Sequence, residues 1–219
     1  SRLIQDSRCL KYQGEIRDIS YEVTFIPSPS AWFWDVSLRT TGEARTIDLV
    51  CGQDVGIADK PSLLENELYA AQYLGHTVIM DKNGYHICSR QNLVQSTGYP
   101  YIHQGILNAR AVQYSTDGLQ FFGLSYKACQ IPAALSKDLP SQTLQFENSY
   151  TALQSERFRL DGSRHTVFFS CFKDNHPKSV SSIEYMDEIR KIYRDFYPAG
   201  DGRPVPPVKI RSCFGEPFT

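Results

Sequence analysis

Absences do most of the narrowing in this sequence. No C-x-x-C pair occurs among its six cysteines, which argues against a zinc ribbon or a thioredoxin-like redox site. The five histidines fall into no H-x-H or H-E-x-x-H spacing, so no metal centre is expected. A G-x-S-x-G elbow, a Walker loop and a G-x-G-x-x-G turn are missing as well, which removes the common hydrolase and nucleotide-binding classes. Nothing calls for a cofactor.

Charge of one sign is also lacking. The chain carries 23 Lys and Arg against 24 Asp and Glu, a net charge of −1, and shows no electrostatic footprint for nucleic acid. No apolar run approaches the roughly 20 residues needed to span a bilayer. No signal-peptide pattern opens the chain. A soluble cytoplasmic or organellar protein is expected, with secretion as the alternative. The cysteines are expected to be free structural thiols, because Cys51, Cys88 and Cys171 sit inside apolar runs, with disulfides the competing reading.

What is present is strand. The stretch from Leu144 to Lys173 holds two apolar runs around Asp161-Gly162, and the run from Ile102 to Ile131 repeats the plan around Asp117-Gly118. Aspartate-glycine suits a tight hairpin turn, so two successive hairpins are expected. Lys82-Asn83-Gly84 marks another between residues 76 and 90, with Asn-Gly as a type I′ signal. Alternation over Ile16–Ile26 and Ala31–Thr40 gives two half-buried strands, the second with Trp32, Trp34, Val36 and Leu38 on one face and Phe33 and Asp35 on the other. Ala44–Cys51 reads as a third.

Two segments change period. Ser62–Leu74 predicts a helix capped by Ser62 and closed by Gly75, with Leu64, Leu68, Ala71 and Leu74 as its apolar stripe. Ser181–Tyr197 predicts an amphipathic helix with Ile183, Met186, Ile189, Tyr193 and Phe196 inward, started by Ser181 or Ser182 and stopped at Pro198 and Gly200. Residues 199–219 read as a tail too rich in Pro and Gly for regular structure, with Val208–Ile210 as a candidate edge strand. No interior linker is visible, so 1–219 is expected to be a single domain.

The fold class expected is mainly β: an antiparallel meander of eight or nine strands, closed into a barrel to remove its edges. An open sheet wrapped around the C-terminal helix is the alternative. The architecture resembles the calycin or lipocalin type, and the run QSERFRL (154–160) is similar to one strand of the barrel-shaped phycobiliprotein lyases. The glycine-x-tryptophan opening of lipocalins is absent, since Ala31 precedes Trp32, and no catalytic residue carries over. The resemblance implies a pocket for an apolar ligand.

Candidate site residues cluster near that run. Arg157 and Arg159 share one strand face, Glu156 and Phe158 the other, with Tyr150 and Glu147 upstream. An inward arginine face would offer two cations to a carboxylate; an outward one would be an ordinary solvated surface. Trp34 is the candidate aromatic wall. His86 and Cys88 share a strand face, which fits core packing better than a nucleophile pair. The function expected is binding of a small apolar or conjugated ligand by Arg157, Arg159, Glu156, Tyr150 and Trp34, as carrier or chaperone. The alternatives are a cofactor-independent lyase, isomerase or cyclase using the same cavity, and a protein-interaction module.

Overall fold

The computed structural model describes residues 2–5, 8–145 and 148–197. Glu147, Cys213, the helix stop at Pro198 and Gly200 and the Val208–Ile210 strand lie outside the described residues. In chain order the strands are β1 Arg2–Gln5, β2 Leu10–Ile16, β3 Ile19–Pro27, β4 Ala31–Thr40, β5 Arg45–Ile47 and β6 Val50–Asp54. After helix α1 (Lys60–Gln72) come β7 Leu74–Asp81, β8 Gly84–Gln91, β9 Tyr101–Ile106 and β10 Ala111–Ser115. Short helices α2 (Gly118–Phe122) and α3 (Tyr126–Cys129) precede β11 Tyr150–Ser155, β12 Phe158–Leu160 and β13 Ser163–Lys173, and α4 spans Met186–Phe196.

Mainly β is right, and the local hairpins β3–β4 and β7–β8 form as alternation requires, while β2–β3 is a hairpin that alternation did not announce. Sequence-adjacent strands pair antiparallel over β1–β4 and again over β7–β9, which makes two short meanders rather than one. One large mixed sheet runs β1-β2-β3-β4-β13-β9-β8-β10-β11-β6, with β7 also on β8. Strand β13 is inserted between β4 and β9, so residues 163–173 close together two meanders far apart in the chain. Among the described residues the sheet does not close into a barrel; β1 and β6 end the path.

Both aspartate-glycine hairpins are corrected by the structure. Asp117 does not turn a hairpin but caps α2, its side chain accepting from the Leu119 amide at 2.8 Å. Asp lends its carboxylate equally well to a turn or to a helix N-terminus, and here the apolar run after it goes helical. At Asp161-Gly162 the chain does bend, but β12 pairs with β5 in a separate two-stranded sheet while β13 pairs with β4 and β9. The Asn83-Gly84 bend has positive φ only at Gly84, so it is not a type I′ turn.

The alternation of β13 divides the core in two. Phe169 and Val167 face outward from the sheet, joining Ile26, Phe33 and Cys171 beneath Ile189 of α4. Phe168 faces inward with Ile87 and Ile106, against Tyr114 and Leu153 of β10 and β11, which fold over that inner face. The expected stripe of α4 is observed from Met186 onward, with Met186, Tyr193 and Phe196 flanking buried Ile189, while Ile183 lies ahead of the helix. Tyr185 in left-handed conformation, not Ser181 or Ser182, starts the helix.

Of the stripe expected of α1 only Leu74 is fully buried, and it belongs to β7 rather than to the helix. Leu64 is 76% and Leu68 53% exposed, and Ala70 is the residue that goes in. The helix is interrupted at Asn66, whose side-chain oxygen accepts from the Tyr69 amide at 3.0 Å and caps the second half anew. Its N-cap is Asp59 rather than Ser62, Pro61 falls in its first turn, and Gly75 already belongs to β7. No helix among the described residues is long and apolar enough to cross a membrane.

Candidate functional site

The five residues singled out from sequence fall in three places: Glu156, Arg157 and Arg159 on one stretch, Tyr150 against α2, and Trp34 on β4. Arg157 points to solvent, where its Nη2 donates to Asp138 Oδ1 at 2.6 Å and its Nε lies 3.5 Å from Asp48 Oδ2. Arg159 is exposed on β12, which gives the solvated version of the arginine face. Glu156 pairs loosely with Arg164 at 3.8 Å, and the Arg164 guanidinium lies over the Phe158 ring. Tyr150 begins β11 with its ring 4.7 Å from Phe121 and 4.8 Å from Phe122. Trp34 stacks on Phe25 at 4.6 Å. Among the described residues, none of the four main cavities is lined by more than one of them.

The space between the two layers of sheet is filled. The cavity there, lined by Trp34, Gln104, Leu153 and Phe168, measures about 10 Å³, the volume of one water at most. His86 and Cys88 are buried on the opposite face. Burial pushes the Cys88 thiol up to about 12, which leaves it unreactive at neutral pH. His86 Nε2 lies 3.1 Å from Asp81 Oδ1, and its Nδ1 lies 2.9 Å from Nε2 of His103. With Asp81 as the terminal acceptor, His103 donates to His86 and His86 donates to Asp81, both rings neutral. The pair is core, as packing predicted, and among the described residues no cluster could hold a metal ion.

The outer face of the sheet continues beyond the footprint of α4 as an open trough of about 650 Å³. Register explains its chemistry. Gln13 pairs with Glu22, Glu22 with Ser37 and Ser37 with His165, so four polar side chains stand abreast across β2, β3, β4 and β13. Ser20, Arg39 and Ser163 form the next row. Gln13 Nε2 donates to Glu22 Oε2 at 2.6 Å, which orients both planar groups.

At one end of this trough Asp35 is buried, and its two oxygens are taken. His165 Nε2 lies 2.7 Å from Oδ1, and the Tyr193 hydroxyl donates to Oδ2 at 2.7 Å. Asn108 Nδ2 lies 3.1 Å from His165 Nδ1, so the ring donates at Nε2 and accepts at Nδ1. Burial and the Asp35 carboxylate hold the Tyr193 phenol well above its usual range. With every ring nitrogen and carboxylate oxygen engaged, this network is a rigid wall rather than an acid–base pair. The trough can bind hydroxyl groups; it is not arranged to move protons. Tyr193→Phe is expected to lower stability by about 1.5–3 kcal/mol, the value of a hydrogen bond to a charged group. A urea midpoint unchanged from wild type would refute that role.

Sequence reasoning missed this site because Asp35 and His165 lie far apart in the chain. The available signal was the polar interruption of two otherwise apolar strands: Asp35 after WFW, and His165 before TVFF.

Fold and site define a mainly β domain whose open sheet carries a polar trough on one face, not a closed barrel around an apolar ligand. Residues 1–170 match the family model of the SOGP N-terminal domain, and the chain belongs to that family. A 1,2-beta-oligoglucan phosphorylase from Listeria innocua serovar 6a is 33% identical over 183 residues, covering 83% of this chain and 16% of that protein. The chain therefore spans well under two thirds of that curated relative. Among solved structures, a polysaccharide lyase aligns with TM-score 0.46 at 9% identity, over 78% of this chain and 22% of its own. A protein described as a kojibiose phosphorylase from the human microbiome gives 0.40 at 8% identity, over 85% and 20%. The expectation of a carrier or chaperone in a lipocalin-like barrel is overturned: the relative is named as an oligoglucan phosphorylase, and the cavity between the layers admits one water at most.

Proposed function

We propose that this chain serves as the N-terminal domain of a carbohydrate-active enzyme that cleaves a 1,2-β-linked glucan with phosphate. Membership of the SOGP N-terminal domain family, with a phosphorylase 33% identical over 83% of the chain, is the observation that carries this reading. The domain's part is to hold and orient carbohydrate, while bond cleavage takes place elsewhere in the polypeptide. A row of oriented amide, carboxylate, hydroxyl and imidazole groups supports such a part, because neutral sugars are recognised through many modest hydrogen bonds to fixed polar groups. In the reaction the glycosidic C1–O bond breaks, a phosphate oxygen takes C1, and the leaving sugar oxygen takes a proton.

The test uses the natural polypeptide that carries this sequence, at its full length, with a 1,2-β-linked glucotriose. Phosphate-dependent formation of glucose 1-phosphate and a glucobiose is expected. Cleavage at an equal rate without phosphate, or no cleavage at all, would overturn the reading.

A further inference from the structure

A second recess lies away from the trough, between α1 and the strand ends of β6, β7 and β11, with a volume of about 220 Å³. It is smaller than the roughly 300–1,000 Å³ of pockets that take drug-sized ligands. Its lining divides by chemistry. Ile57, Leu63 and Ala71 give one apolar wall, while Asp54, Glu67, Asn148 and Ser149 give polar groups around it. No Lys, Arg or His is among the lining residues.

Ser149 sets the site apart from an ordinary crevice. The residue is 6% exposed, and its hydroxyl oxygen is buried without a hydrogen-bond partner. It cannot turn away as a unit, because the Val55 amide donates to the Ser149 carbonyl at 2.9 Å and fixes the backbone. A buried polar group left unpaired costs about 1–3 kcal/mol, and turning the Ser149 side chain about its Cα–Cβ bond toward a hydroxyl-bearing ligand in the recess would remove that penalty. The opposite wall is equally fixed. Gln91 is buried and donates to the Ala70 carbonyl at 3.1 Å while accepting from the Leu93 amide at 3.0 Å, pinning the end of α1 to β8. Recapping at Asn66 starts the second half of α1 at the turn that carries Glu67.

We infer that this recess is a subsite for one pyranose unit of a neutral glucan, an assignment that rests on the carbohydrate reading above. Two carboxylates without a cation disfavour phosphate and sugar phosphates by repulsion, yet they are strong acceptors for neighbouring hydroxyl groups. Ser149 and Asn148 supply donors, and the apolar wall suits the C–H face of a sugar ring. The volume admits one ring, so the rest of an oligosaccharide must lie outside it.

The experiment is a titration of the 219-residue chain with 1,2-β-linked glucotriose and separately with glucose 1-phosphate, followed by amide chemical shifts. Saturable shifts are expected at residues 55–58 and 70–71 with the glucotriose, and at least tenfold weaker ones with glucose 1-phosphate. An Asp54→Asn, Glu67→Gln double variant should weaken glucotriose binding at least tenfold. Ser149→Ala should weaken it several-fold while leaving the unliganded chain at least as stable as before, because the unpaired hydroxyl is gone; a serine that served the fold would instead lose stability. Binding unchanged in both variants, or shifts confined to the trough around Arg39 and His165, overturns the subsite. Phosphorolysis by the full-length enzyme with no shifts at the recess overturns the subsite alone; absence of both removes the carbohydrate reading with it.

Discussion

Gly84→Ala is expected to destabilise the protein by about 3–5 kcal/mol, a drop of about 10 °C in Tm at roughly 3 °C per kcal/mol for a domain this size. Two independent costs combine at this position. Gly84 has φ +90°, a conformation that charges an L-residue about 1–2 kcal/mol. An added Cβ would also overlap the carbonyl oxygen of Ala111 and lie 2.7 Å from its nitrogen. That neighbour is backbone and cannot rotate aside. Ala111 is held by the bond from its amide to the Asn83 carbonyl at 3.0 Å, and Ala111↔Gly84 is the one register pair joining β10 to β8. Displacing it loosens the seam between the two layers of sheet. Gly162 makes the control: a Cβ there meets nothing within 4 Å, so Gly162→Ala should stay within about 0.5 kcal/mol of wild type. Equal melting temperatures for the two variants would refute the argument.

Acid should weaken the fold well before its carboxylates titrate. Burial holds His76 down to about 4, and burial together with its neighbour His86 holds His103 down to about 3. His86 is lowered as well, chiefly by burial and against the pull of Asp81. These rings are neutral in the folded chain and regain an ordinary value near 6.5 on unfolding. Below pH 6.5 the unfolded state therefore binds protons that the folded state does not, and stability falls as pH drops toward the folded values. At pH 4.5, two units below the unfolded value, each ring held neutral costs about 2.7 kcal/mol at 1.36 kcal/mol per unit. His76 and His103 together then remove about 5 kcal/mol, comparable with the whole stability of many domains. Urea unfolding at pH 7.5 and pH 4.5 should show a large fall in midpoint, with about two protons taken up on unfolding between them. A flat profile across that range would sink the prediction.

Local pattern carried the sequence reading as far as local pattern reaches. Strands β3 and β4 were legible because one covered face and one partly open face leave a period of two. The C-terminal helix was legible because Ile189 and Tyr193 recur at helical spacing above a charged side. Strands buried on both faces gave no such signal: Tyr101–Ile106 is buried throughout, and alternation cannot name its partner. Nothing local in Ser163–Lys173 says that it lies between β4 and β9. The arginine strand shows the same limit, since alternation separated Arg157 from Glu156 but could not say which one faced water. The trough was hidden for a related reason: Asp35 meets His165 only through the register of two strands distant in sequence. Leu64 and Leu68 misled for a different reason, because the break at Asn66 rotates the second half of the helix away from the stripe.

The placement of β13 also governs the order in which this chain can fold. Phe169 stands opposite Phe33 on one side and Gly105 on the other, and this central strand comes last in chain order among the described strands. Until residues 163–173 emerge, β4 and β9 are both unpaired edges lined with aromatic and aliphatic side chains. Pairing β4 to β13 closes a loop of more than a hundred residues, a non-local step that slows folding and prolongs the exposure of those edges. Nascent chains halted before β13 would be substrates for chaperones, and it is the arrival of this one strand that turns two sticky halves into a single sheet.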